Sequence, residues 1–221
     1  MPAGTVTDPG RDCALCPRLR GFILEWRGKE PAWHNAPVPT FADPRGDGHV
    51  RLLVAGLAPG LRGANRTGRP FTGDYAGDLL YSTLKRFGFA SGEFQARPDD
   101  GLTLSGTAIT NAVRCVPPEN KPTGPEINTC RPFLTATIGR FPALEAIVTL
   151  GKIAHDSTIR ALGERLAAHP FSHGGQTKAG GIAVFSSYHC SRYNTNTGRL
   201  TEEMFANVFS AARQYLDRRA R

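Results

Sequence analysis

The chain has 221 residues, 40% of them hydrophobic, and a formal net charge of +8. That composition supports a sizeable core, fits a single domain spanning residues 1–221, and favours polyanionic partners without specifying a fold. The absence of any run of 18 apolar residues excludes a membrane-spanning helix, and the opening Met1-Pro-Ala-Gly-Thr5 lacks a basic segment followed by an apolar one. A cytoplasmic protein in a reducing compartment is therefore expected.

Residues 1–49 are rich in Pro, Gly and Arg and read as irregular, apart from a short helix near 17–28. Just before that helix, Cys13-Ala-Leu-Cys16 has the spacing of two thiolates on one metal or cluster iron. A first buried strand is expected over 51–56. It runs straight into Gly56-Leu-Ala-Pro-Gly60 and then Arg69-Pro-Phe71-Thr-Gly-Asp74. Glycines at a strand end let backbone approach a ligand, and ligands of open α/β sheets bind beyond the carboxyl ends of strands. Arg62, Arg66 and Arg69 mark that ligand as anionic; the plainer alternative is a solvated surface loop.

A helical pattern follows over 75–87, then a strand over 107–113 that leads to Cys115. Thr123-Gly-Pro-Glu126 is a capping box that opens a helix to about residue 140, with Cys130 inside it. A strand over 143–150, a helix over 153–162 stopped by Gly163, a strand over 182–188 and an amphipathic helix over 202–217 complete the chain. Strands alternating with helices specify a three-layer α/β/α sandwich around a central four-stranded parallel sheet. There is no internal repeat.

Cys13, Cys16, Cys115 and Cys130 make a candidate four-cysteine site. Count alone suits structural zinc and an iron–sulfur cluster equally, with unrelated buried thiols as the plainer alternative. A thioredoxin-like pair fits poorly, because the CxxC precedes the first strand by about 35 residues. Cys190 is left over, as a free and partly buried thiol.

These motifs, together with Thr110-Asn111-Ala-Val-Arg-Cys115 and Tyr188-His189-Cys-Ser191, resemble the iron–sulfur uracil-DNA glycosylases in order and spacing, closest to the family 5 or type B branch. The resemblance covers essentially the whole chain. It implies a [4Fe–4S] cluster on Cys13, Cys16, Cys115 and Cys130, and a partner in DNA that carries uracil or another deaminated base such as hypoxanthine. It also implies a monomer that releases the base by hydrolysis and leaves an abasic site for base excision repair. No lysine stands at a motif position for strand cleavage through a Schiff base. Two other readings stay open: a catalytically silent iron–sulfur module that binds nucleic acid, and a nucleotide-phosphate enzyme built on Leu150-Gly-Lys152.

Within the resemblance, Gly56, Ala58, Pro59, Gly60, Phe71, Asn111 and His189 are the substrate-binding residues. Phe71 would stack on the flipped base, or else be an ordinary core residue. Asn111 would read the base edge, or serve as a turn residue. His189 would face the base carbonyl, where negative charge develops, or simply begin a loop. Asp74 would orient water or stabilise the cationic sugar, and it could also cap the following helix. Asn120 is a weaker polar candidate. Leu57 and Ala58 depart from the classical enzymes, whose first motif supplies a polar or acidic side chain. DNA contacts are expected from Arg62, Asn65, Arg66 and Arg69, and from Ser191, Arg192, Tyr193 and Asn194, with Arg192 or Tyr193 wedged into the duplex.

Overall fold

The computed structural model of the protein describes residues 8–219; the opening Met1–Thr5 segment lies outside them. The described chain begins with α1 (Pro17–Lys29), the short β1 (Phe41–Ala42) and β2 (Leu52–Gly56). Next come α2 (Ala64–Thr67), α3 (Tyr75–Arg86) and a small hairpin of β3 (Ala90–Ser91) and β4 (Thr103–Leu104). They are followed by β5 (Thr107–Asn111), α4 (Gly124–Arg140), β6 (Ala146–Leu150) and α5 (Lys152–Ala161). Last come β7 (Gln176–Ala179), β8 (Ile182–Ser187), α6 (Arg192–Asn196) and α7 (Glu202–Arg219).

The main sheet has the order β1-β5-β2-β6-β8-β7. Its centre, β5-β2-β6-β8, is the expected four-stranded parallel core. Each of β2, β5 and β6 is buried at every residue, so the helices cover both faces. Alternation within β2 divides the core. Leu52 and Val54 pack with Leu80 and Leu84 of α3 and with Phe205 and Phe209 of α7. Leu53 and Ala55 face the opposite way, with Ile147 and Phe141.

The sheet is wider than four strands. β1 and β7 add antiparallel edges to β5 and β8. Neither carries the apolar run of a central strand. β1 is two residues long, and β7 reads Gln-Thr-Lys-Ala with half of it exposed, as suits an edge that must not pair further. The third central strand begins at Ala146 rather than 143, because Arg51 O accepts the Glu145 and Ala146 amides in the preceding turn. Cys190 is fully buried, not partly, and its Sγ donates to Ala76 O at 3.5 Å.

The loop between β3 and β4 is held by a buried ion pair. Arg69 donates to both Asp100 oxygens, at 2.8 and 2.7 Å, with the two side chains 5% and 0% exposed. Asp100 also accepts the amides of Gln95 and Leu102, at 2.9 and 3.1 Å. The Arg69 guanidinium lies over Phe41, Tyr81 and Phe94 at 5.4–5.7 Å. These bonds hold the Asp100 carboxyl well below the usual carboxylate range.

Asp100→Asn leaves Arg69 charged and buried with no counter-charge, and should cost about 3–5 kcal/mol in denaturant unfolding. The pair's stabilisation is complete above the unfolded Asp value of about 3.9 and is lost as pH falls through the depressed native value. The gap between wild type and variant should therefore close in strong acid.

Candidate active site

The carboxyl ends of β2, β5 and β8 bring the predicted residues together. Gly56 ends β2 directly opposite Asn111, which ends β5. The ladder runs one step further, with the Ala112 and Val113 amides donating to Gly56 O and Leu57 O at 2.9 and 2.8 Å. Phe71 comes across from the following loop. A Cβ placed on Gly56 would lie 2.5 Å from both Asn111 Oδ1 and Phe71 Cζ, so only a glycine fits between ring and amide. The Phe71 and His189 rings sit 6.2 Å apart at 31°. Asn111 is 2% exposed, and its Oδ1 has no hydrogen-bond partner among the described residues. Such an atom costs free energy in the folded protein and marks a place where a donor is missing.

Phe71 is 7% exposed and stands in a left-handed backbone, φ 53°. For a bulky residue that conformation costs about 1–3 kcal/mol and persists only where its surroundings impose it. Arg69 and Asp100 do so from one side, with Arg69 Nε donating to Thr72 Oγ1 at 2.8 Å. Tyr81 Oη donates to Pro70 O at 2.7 Å. Gly77 lies so close that a Cβ there would collide with Phe71 O.

Asp74 is the N-cap of α3, and its Oδ1 accepts the Gly77 amide at 3.2 Å. Its Oδ2 faces a wall of glycine: a Cβ on Gly60 or Gly63 would lie 3.0 or 2.5 Å from it. One carboxylate thus caps a helix and fronts the turn after β2. Burial raises its pKa. Burial also pushes His189 down from its ordinary value, favouring the neutral imidazole. Gly151, φ +95°, lets the turn after β6 abut His189, with a Cβ there only 3.4 Å from the His189 Cβ. Asn120 lies on an exposed turn in the left-handed region, φ 57°, which fits a turn residue.

Several predicted contacts are placed elsewhere by the fold. Ala58 packs with Leu61 against the cysteine-side apolar cluster. Pro59 is buried. Asn65 is 0% exposed and donates to Asn35 Oδ1 at 2.8 Å, and Arg69 is engaged with Asp100. Burial thus removes both from the surface that a phosphate would touch, which corrects the expected DNA contacts there. Ser191 caps α6 through the Asn194 amide, and Asn194 Nδ2 donates to His189 O at 2.8 Å. These two hold the His189 turn. Arg62, Arg66, Arg192 and Tyr193 stay exposed, Tyr193 at 72%. Arg192 lies over the Tyr75 ring at 5.3 Å.

Sequence reasoning missed Asp100, Gly63 and Gly77. A glycine inside a helical pattern is itself a signal of close backbone approach, which Gly77 satisfies. Nothing local distinguishes Asp100 from Asp99.

Cys13, Cys16, Cys115 and Cys130 line one apolar pocket with Leu19, Val113 and Phe133. Burial and the neighbouring thiols push Cys115 and Cys16 upward. The Arg114 amide donates to Cys130 Sγ at 3.4 Å. Around the pocket, Arg18 of α1 clamps Glu126 of α4 with two 2.8 Å bonds. Among the described residues no three His, Cys, Asp or Glu side chains are placed to hold a single metal ion.

The family model described as the uracil DNA glycosylase superfamily matches residues 44–213. A type-5 uracil-DNA glycosylase of Thermus thermophilus is 44% identical, over 91% of this chain and 93% of that protein. One from Pyrobaculum aerophilum is 39% identical, over 91% and 88%. A type-4 uracil-DNA glycosylase of Sulfurisphaera tokodaii is 31% identical, over 74% and 71%.

Gly56→Ala drives a methyl group between Phe71 and Asn111. Circular dichroism should show the fold retained, while any activity that needs ring and amide to face one ligand falls by about 100-fold or more, as displacements of about 1 Å do elsewhere.

Proposed function

The chain belongs to the type-5 uracil-DNA glycosylases of the uracil DNA glycosylase superfamily, and from that membership we propose how its residues release a base. It is an N-glycosylase of base excision repair. Our reading is that it removes hypoxanthine as well as uracil, working as a monomer and a single domain, and leaves an abasic site.

The observation that carries this reading is the buried, unpartnered Asn111 Oδ1 facing the Phe71 ring across Gly56. Uracil and hypoxanthine each present a carbonyl beside a ring N–H. An amide meets that pair with one donor and one acceptor. Phe71 supplies stacking of about 1–3 kcal/mol that does not depend on which base is present. Leu57 and Ala58 add no polar side chain, so the first motif imposes no further selection and base tolerance follows.

His189, neutral because it is buried, donates to the base carbonyl as the N-glycosidic bond breaks and the base becomes anionic. Asp74 holds the attacking water, or the cationic sugar, with the oxygen that faces Gly60 and Gly63. Arg62, Arg66, Arg192 and Tyr193 meet the DNA around the flipped nucleotide. Cys13, Cys16, Cys115 and Cys130 are the ligands we assign to a [4Fe–4S] cluster: four thiols lining one apolar pocket suit a centre that takes one thiolate per iron. When bound, that cluster braces the segment before α1 against β5 and α4.

Duplexes carrying uracil, hypoxanthine or no lesion, assayed for alkali-labile sites, test the reading. Release from both lesion strands only is expected; hypoxanthine left intact would confine the enzyme to uracil. Asn111→Asp should weaken uracil release and shift preference toward cytosine, whose amino group needs an acceptor.

Asp74→Asn should cost about 10²–10⁴-fold in kcat. In the wild type the acid limb of kcat should turn at a pH above the ordinary Asp value, because burial raises Asp74 and the carboxylate is the working form. A limb unchanged in Asp74→Asn would remove Asp74 from the chemistry.

A further inference from the structure

A second cleft, of about 470 Å³, opens beside the base pocket. Trp33 and His34 line it from one segment, Ala96 and Arg97 from the turn before β4, and Arg66 and Thr67 from α2. None of its lining residues is acidic.

Its charge is only weakly compensated among the described residues. Arg66 is exposed and has no ion-pair partner among the described residues; its Nε donates to Arg62 O at 3.0 Å. Arg97 has only Asp99, at 3.9 Å with both side chains exposed, and Gln95 Oε1 at 2.8 Å. The two guanidiniums therefore offer donors to an anion.

Its walls are fixed. Trp33 stacks on Trp26 at 5.4 Å and 6°, and Trp26 meets the edge of Phe22. The His34 and Asn35 amides donate to Arg66 O and Asn65 O, both at 3.0 Å, which straps this segment to α2. Opposite, Ala96 stands in the left-handed region, φ 56°. That strain is held by Asp100, which accepts the Gln95 and Arg97 amides. The carboxylate that fixes the Phe71 loop therefore also sets the turn that carries Arg97.

The cleft is joined to the site. Arg66 Nη2 lies 2.8 Å from where a Cβ on Gly73 would stand, next to Asp74.

We propose that this cleft is a second DNA subsite, which takes a nucleotide of the lesion strand beyond the immediate neighbour of the flipped one. Arg66 and Arg97 bind its phosphodiester, and Trp33 offers its indole to the base. The inference rests on the glycosylase reading above.

Uracil-containing single strands of two lengths test it, with one nucleotide or with several on each side of the uracil. Arg97→Ala and Trp33→Leu should raise KM for the long strand about five- to 100-fold. The short strand and kcat should be unchanged, and Arg97→Ala should also lower the salt slope of binding by about one. Both tryptophans of the chain lie in this stack, so intrinsic fluorescence reports occupancy directly. Undamaged oligothymidylate should quench it in the wild type, and inorganic phosphate at equal concentration should not.

Quenching by phosphate alone would mark a free-anion site and overturn the proposal, as would long-strand KM values equal to the wild type in both variants while uracil is still released. No release from either strand by the wild type would instead overturn the reading beneath it. Thermal unfolding of each variant, with Trp33→Phe as the conservative partner of Trp33→Leu, separates loss of the subsite from loss of fold.

Discussion

A buried guanidinium is costly unless its whole fork is satisfied, and that requirement organises this molecule around Arg69. Two of its arms go to Asp100, one to Thr72, and its faces to three aromatic rings. Satisfying the charge draws the loop between β3 and β4 down onto the loop after β2. The Arg69–Thr72 segment is then closed from both ends, with Tyr81 taking Pro70 O. Phe71 has no freedom left to relax from its left-handed backbone. The ring is aimed by an ion pair that is itself buried.

A second constraint comes from the opposite direction. The segment before α1 has little apolar content of its own, yet its Cys16 packs on a cluster of Leu19 and Ile23 of α1 with Val113, Cys115 and Cys130, against which Ala58 and Leu61 also pack. The turn that follows β2 is thus seated on the cysteine site. Asn35 and Asn65 add a buried amide link between the end of α1 and α2. Both sides of the cluster formed by Gly56, Phe71 and Asn111 therefore lean on elements whose own role is architectural.

Much of this was legible in the chain. Buried apolar runs, a capping box and the stripe of α7 specify elements within a few residues, because hydrophobic period and helix-end chemistry are local. The cysteines stood out by the CxxC spacing and their number, and Gly56, Asn111 and His189 by their positions at or just beyond strand ends. What was not readable is long-range. Arg69 reads like Arg62 and Arg66, since all three are arginines in one glycine-rich loop. Only the distant Asp100 decides that Arg69 turns inward and the others outward. Asn65 is drawn inside by Asn35, and edge strands such as β7 carry no apolar run because exposure on an edge forbids one.

Asp74 stands at the head of α3, where unpaired amides present the positive end of the helix. No arginine, lysine or histidine forms an ion pair with it among the described residues. Burial raises its pKa and the peptide dipoles of the helix start oppose that rise, which is different from neutralisation by a cation. A salt bridge would cancel its field within a few ångströms. Backbone dipoles stabilise the charge from behind and leave it unneutralised in front. The anion can then act on positive charge that appears opposite it, with no partner to displace first. Here a helix start works as the counter-electrode of an open half-cell.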